Sequence, residues 1–286
     1  MDKLSGKIGS ENLAYIMMTV ATSVFALGFL YSNEHNFDVC ETFLVRSISL
    51  IAINFAIARV YGMDLSYQDP YNFRILLARN FLVGIQNTMF TLAQFYLSQP
   101  IVQTMNTSSI LFIFILDYFL NGVTLTKKQF YGVIFGILGV LLTVNGDLII
   151  STINPGFERQ SEFQNYATED PKIKLLIASM FIGSNVLWAY AQVLTKKLTG
   201  VNPVQLNLHI GFVFIMFTGV SYPSMVEKQV EVWTFIKGIL FGGIVSALSQ
   251  IVYIGALKMT KKTGLVTTFS FSSVIVGYFV SVARYN

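Results

Sequence analysis

Nine stretches of this chain, each of about twenty residues, are nearly unbroken runs of apolar side chains: 12–30, 40–58, 75–97, 100–120, 130–150, 174–194, 206–222, 233–256 and 264–283. An α-helix needs roughly 20 residues to cross the hydrocarbon core of a bilayer. The pattern therefore predicts nine membrane-spanning helices. Most links between the runs are short, which leaves no room for a separate soluble domain. The one longer link, 151–172, carries Pro155, Gly156, Glu158, Arg159, Glu162, Glu169, Asp170 and Pro171. Its polar, proline-punctuated composition marks it as a linker between a unit at 12–150 and a second at 173–286.

The two units share a pattern. Residues 73–142 read as three closely joined helices, and a diluted copy begins 160 residues later: Phe73 falls on Trp233, Leu97 on Leu257, and Asp117-Tyr118-Phe119 on Gly277-Tyr278-Phe279. An internal repeat in so apolar a chain points to a transporter, because two copies of one bundle can rock around a shared central site. In this register Asn286 aligns with Thr126, just before the fifth run. The first unit then has five spans and the second four. Five is odd, so the second copy enters the membrane upside down. The fold class predicted is an all-α integral membrane protein, an inverted repeat of five-helix units with 5+4 spans present.

Composition agrees with this reading. The chain is 53% hydrophobic and 12% charged, with a mean hydropathy of +0.60, well outside the charge content of soluble domains. When sides are alternated from the N-terminus, one side receives Lys3, Lys7, Arg59, Arg74, Arg79, Lys127, Lys128, Lys196, Lys197, Lys258, Lys261 and Lys262. The other receives only Arg159, Lys172, Lys174, Lys228, Lys237 and Arg284, together with most of the loop acids. The first side is cytoplasmic by the positive-inside rule, which puts the N-terminus inside. The pI of about 9.0 then reflects basic loops and not a nucleic-acid partner. Lys3 and Lys7 precede the first run as in a signal peptide, but the run is too long for one and no cleavage site is evident. Cys40 is the only cysteine, so neither an internal disulfide nor a thiolate metal cluster is available.

The string Gln129-Phe130-Tyr131-Gly132-Val133-Ile134-Phe135-Gly136-Ile137-Leu138-Gly139-Val140 resembles the fifth-helix motif of EamA-type members of the drug/metabolite transporter superfamily. It follows a short fourth helix with the same look, from Gln99-Pro100 through Asn106-Thr107-Ser108-Ser109 to Tyr118-Phe119. The resemblance is strong over 73–146 and weak over 12–60 and 174–222. It implies ten helices in two inverted halves, with helices one to four and six to nine around the solute and five and ten at the periphery. Two departures stand out. Family members often carry a glutamate just after the fourth helix, where this chain reads Asn121-Gly122-Val123-Thr124, and no tenth helix follows the ninth run. An incomplete second copy is expected ahead of a genuine nine-helix variant. The apolar strip left bare would favour self-association, so a homodimer is among the expected partners, beside the lipid bilayer and a small-molecule solute.

Individual residues divide between packing and function. Gly132, Gly136 and Gly139 share one helical face and are expected to pack against a neighbouring helix; Gly238 and Gly242 read the same way. Arg46 lies well inside the second run, where it either holds an anionic solute or reaches back toward Glu41 or Asp38. Asp117, far along the fourth run, is either a proton relay or an anchor near Lys127 and Lys128. The fourth and ninth runs are unusually polar: Gln103, Asn106 and Ser109, then Ser270 and Ser273, with several threonines between. Such groups need hydrogen-bond partners where there is no water. Their matched mid-depth placement favours a hydrated cavity over helix–helix bonding alone. Gln86, Asn87 and Gln94 of the third run, Asn185 and Trp188 of the sixth, and Gln250 and Tyr253 of the eighth would complete its walls. With Arg46, these are the candidate substrate-binding residues. Trp188 could equally be a core aromatic.

No HExxH, GxSxG or P-loop pattern occurs, and His35 and His209 are not grouped with acids at metal spacing. No catalytic residue, metal or cofactor is expected. The function expected is transport of a small organic metabolite by alternating access. The rival within transport is an endomembrane antiporter of nucleotide sugars or phosphorylated metabolites. Against it stands the lack of a second arginine or lysine inside a run. The rival outside transport is a membrane scaffold or membrane-embedded enzyme. Acids and histidines inside the runs are too few for acid–base chemistry, and a scaffold has no need of matched polar patches.

Overall fold

A computed structural model describes residues 9–34, 37, 39–65, 69–97, 99–124, 126–127, 130–132, 134–135, 138–139, 171–198, 200–225, 231–260, 263–272 and 275–276. Within them the chain is helical and holds no strand. The helices are α1 (Ser10–Glu34), α2 (Val39–Val60), α3 (Pro70–Tyr96), α4 (Gln99–Thr107), α5 (Ser109–Asn121), α6 (Pro171–Lys197), α7 (Pro203–Met225), α8 (Val232–Lys237), α9 (Ile244–Met259) and α10 (Thr263–Thr267). A π-helical turn, Gly238–Gly243, joins α8 to α9, and a 3-10 turn, Thr268–Phe271, follows α10. Cys40–Val60, Leu175–Lys197 and Val232–Met259 are long and apolar enough to cross a membrane. The linker at 151–170 and most of the fifth run lie outside the described residues.

Helix ends follow local chemistry. Asp69 accepts a hydrogen bond from the Tyr71 amide (2.9 Å) and Pro70 opens α3, a side-chain cap followed by a residue with no N–H to satisfy. Asn202 caps α7 through the Gln205 amide (2.7 Å), again ahead of a proline. Gly122 closes α5 at φ 63°, a left-handed conformation that suits glycine.

The largest contacts run between the units and not between sequence neighbours: α1 on α9, α2 on α7, α3 on α6, and α5 on both α6 and α10. Phe43, Leu50, Leu76, Phe214 and Ile254 form the main core from four of these helices. Close approach is made by small residues. A Cβ at Gly243 would overlap the Ser49 hydroxyl on α2, and one at Gly211 would meet Ile51. In the π turn the Ile239 carbonyl accepts the Ile244 amide and also Ser49 Oγ at 3.3 Å. Gly238 packs in this way, against Phe37. Among the described residues nothing lies within 4 Å of a Cβ at Gly132 or Gly139, and Gly136 is outside the described residues. Polarity is distributed as in a lipid-facing bundle. Asn54 and Asn207 are fully buried, while Phe81 and Met216 are exposed.

Candidate functional site

Most buried hydroxyls and amides return to their own helix. Ser47, Thr91, Thr195 and Thr218 each donate to the carbonyl four residues back, and Asn54 does the same through its amide. Such bonds satisfy the group locally and tie nothing together. Bonds that cross between helices are fewer, and they outline two regions.

The first is a cavity holding about 830 Å³ of atom-free space, mouth included. Its walls come from both units: Ala21, Thr22 and Phe25 of α1; Gln86, Asn87 and Phe90 of α3; Asn106 and Thr107 of α4; Ser109, Ile110 and Ile113 of α5; Trp188 of α6; Ser249, Gln250 and Tyr253 of α9; and Thr267 of α10. Among the described residues the lining carries no formally charged side chain. Gln86 Nε2 donates to Asn106 Oδ1 at 3.1 Å, tying α3 to α4. The rings of Trp188 and Tyr253 lie 6.2 Å apart at 39°.

Seven of the thirteen candidate residues thus line the cavity: Gln86, Asn87, Asn106, Ser109, Trp188, Gln250 and Tyr253. Arg46 and Asn185 do not. Arg46 is buried behind the wall, donating from Nη1 to Asn87 Oδ1 (3.2 Å) with its guanidinium over the rings of Phe25 (5.1 Å) and Phe214 (5.3 Å). The aromatic faces accept the cation where the sequence suggested a solute anion. Asn185 is turned to the α4/α5 break, donating to the Met105 carbonyl (2.7 Å) and to Ser108 Oγ (3.3 Å). The side chains of Gln94, Gln103 and Ser270, and all of Ser273, lie outside the described residues.

The fourth and ninth runs are interrupted, not continuous. α4 ends at Thr107, and α5 resumes at Ser109 after a 3-10-like step in which the Leu111 amide donates to the Ser108 carbonyl (3.0 Å). α10 ends at Thr267 in a 3-10 turn. Hydroxyls bond to carbonyls three residues back at both breaks. Thr107 Oγ1 donates to the Thr104 carbonyl (2.6 Å) and Ser108 Oγ to the Met105 carbonyl (2.6 Å). Thr267 Oγ1 donates to the Gly264 carbonyl (3.0 Å) and Thr268 Oγ1 to the Leu265 carbonyl (2.6 Å). Each bond takes a carbonyl from the helical ladder. The two sets stand 160 residues apart.

The second region is a seam one to two turns beyond the cavity, toward the end where α2 and α6 finish. Asp117, 1% exposed, accepts from Asn121 Nδ2 (2.6 Å), from Thr263 Oγ1 (3.2 Å) and from the Gly264 amide (3.2 Å), with Lys196 Nζ at 3.9 Å. It therefore joins α5 to α10 and α6, while Lys128 of the expected anchor lies outside the described residues. Lys258 Nζ donates to the carbonyls of Leu198 and Val201, tying α9 to the α6–α7 link. Arg79, placed among the loop residues by the sequence, is fully buried here, donating from Nε to Thr195 Oγ1 (3.2 Å) and from Nη1 to Asn80 Oδ1 (2.9 Å). α3 begins at Pro70, five residues ahead of its apolar run, so Arg79 sits roughly 14 Å along the helix. The Asp69-Pro70 cap carried that signal. His209 Nδ1 lies 2.9 Å from the Gln205 carbonyl of its own helix.

No family model matches the chain, and no curated protein does. Among solved structures, a crystal structure of a protein shares the fold with a TM-score of 0.68 over 95% of this chain and 89% of that one, at 13% identity.

Proposed function

We propose that the chain is a carrier of the drug/metabolite, EamA-like type, which moves a small organic solute across a membrane by alternating access. The observation that carries this reading is the pair of helix breaks at Thr107 and Thr267. They lie on opposite units in one register, and both line the cavity. Cross-unit packing in exchanging pairs supports an inverted repeat: α3 on α6 has its counterpart in α9 on α1, and α2 on α7 is its own counterpart. Two related units around one cavity can present it first to one side and then to the other. The Asp117 and Lys258 contacts close the lysine-rich end, which the charge bias makes cytoplasmic. The chain's role is to bind, enclose and release, with no covalent step.

Side-specific labelling tests this. Cys40 is buried and is the sole cysteine, so Cys40→Ser provides a blank background. A cysteine at Thr267, in sealed vesicles, is expected to react with a membrane-impermeant thiol reagent from either face. Reaction from one face only, under all conditions, rules out alternating access. The phosphorylated-solute reading gains one observation, the buried Arg79, but that group does not line the cavity. A scaffold would show no exchange of access at all.

A further inference from the structure

The cavity's own chemistry narrows the solute, and this inference rests on the transport reading above. Charge comes first. Among the described residues, no Asp, Glu, Lys, Arg or His contributes to the walls. An ionic solute would leave water for a low-dielectric site without a partner charge, which is strongly unfavourable. The buried cation nearest in the bonding network, Arg46, stands behind Asn87. Its field opposes a cationic guest, and the aromatic faces and the amide already engage its guanidinium.

Hydrogen-bonding capacity comes next. The Asn87 amide is used on both sides: Oδ1 accepts from Arg46, and Nδ2 donates to the Val83 carbonyl (2.9 Å). The Gln86–Asn106 pair is different. Its single head-to-tail bond leaves the Gln86 amide oxygen as an acceptor and the Asn106 amide NH2 as a donor for a guest, one from α3 and one from α4. Exchanging O and N in both amides reverses the bond but still leaves one acceptor and one donor. Gln250, from the other unit, lines the same cavity, and its Oε1 is buried in the wall with no hydrogen-bond partner. Around these groups stand four aromatic rings, Phe25, Phe90, Trp188 and Tyr253. Flat faces of this kind select flat ligands.

The geometry points to an uncharged, planar nitrogen heterocycle with a lactam edge: a nucleobase, free or as its nucleoside. The lactam's adjacent N–H and C=O match the Gln86–Asn106 edge, the ring stacks on the aromatic wall, and the free base, unlike its nucleoside, has a further ring N–H for Gln250 once that side chain turns its Oε1 into the cavity. Asn and Gln amides pair with base edges in this bidentate manner elsewhere.

The test is equilibrium binding of radiolabelled hypoxanthine to the full chain in lipid nanodiscs. Its competitors are uracil, inosine, 1-methylhypoxanthine, phenylalanine, a lipophilic organic cation and a nucleoside monophosphate. Hypoxanthine, uracil and inosine are expected to bind in mutual competition. The 1-methyl analogue, which lacks the lactam N–H, should bind at least tenfold more weakly, and the three charged or zwitterionic probes should not compete. Gln86→Leu should abolish the discrimination against the methyl analogue, and Gln250→Leu should weaken all bases. A thermal melt of each variant shows whether it is folded. If Gln86→Leu is not, Gln86→Met serves in its place. Equal affinity for the methyl analogue, no binding of any base or nucleoside, or preferential binding of the cation or the phosphate overturns the proposal. Absence of base binding while the Thr267 cysteine still reacts from both faces removes the solute class alone. Base binding with one-sided reactivity removes the transport reading and leaves a binding site.

Discussion

Between Ile113 and Asp117, one turn of α5, the bundle passes from a cavity without a charged wall to a seam built around a buried carboxylate. The same helices build both regions. α5, α6, α9 and α10 supply Ser109, Trp188, Gln250 and Thr267 to the cavity, then Asp117, Lys196, Lys258 and Thr263 to the seam. The amides and hydroxyls of the wall are only partly engaged and leave capacity for a guest. The seam groups engage one another across helices. Among the described residues, buried charge joins helices and neutral polarity faces the cavity. A buried charge is strongly unfavourable to strand without its partners.

The largest effect is expected at the carboxylate. Asp117→Ala strands Lys196, Thr263 and the Gly264 amide together. It should lower stability in detergent by on the order of 3 kcal/mol and make the lysine-rich end of the cavity more reactive to thiol reagents. Asp117→Asn keeps an acceptor for Thr263 and should recover part of the melting temperature. Equal stability of Ala and Asp would erase the distinction between seam and wall.

Arg79 tests the same seam at a second point. Arg79→Lys keeps the charge but cannot reach Thr195 and Asn80 with fixed, planar donors, so a loss of about 1–3 kcal/mol is expected from thermal unfolding. Loss of solute affinity without loss of stability would instead place Arg79 on the cavity.

Gly243→Ala probes packing away from both regions. The added Cβ overlaps Ser49, so a loss of about 1–3 kcal/mol is expected, partly restored by Ser49→Ala. Gly132→Ala, which meets nothing within 4 Å, should be neutral or slightly stabilising.

The smallest effect is the sharpest symmetry test. Thr107→Val and Thr267→Val each remove one hydroxyl from matched breaks. They should shift stability by similar amounts, about 1 kcal/mol or less. A large effect at one and none at the other would count against equivalent units.

The sequence carried some of this and hid the rest for physical reasons. Amides in apolar runs stand out, so Gln86, Asn87, Asn106 and Gln250 could be singled out before any geometry. Phe25, Phe90, Ile110 and Ile113 could not, since an apolar residue facing a cavity looks like one facing lipid. Arg79 was misplaced because a hydropathy boundary was read where a capping boundary, Asp69-Pro70, governs. Asp117 found its partners, Thr263 and Gly264, across nearly 150 residues of chain, a juxtaposition no local pattern encodes. The helix breaks were disguised as polar density: the serines and threonines were visible, but their bonds to carbonyls three residues back were not.

The central claim is that the seam is a gate and the cavity its chamber. Spin labels on Asn121→Cys at the end of α5 and Leu265→Cys on α10, in a Cys40→Ser background in nanodiscs, report the seam's width by pulsed electron-spin resonance. The account predicts two distances, with Asp117→Ala shifting the population toward the longer one. A single distance, unmoved by Asp117→Ala, would contradict it.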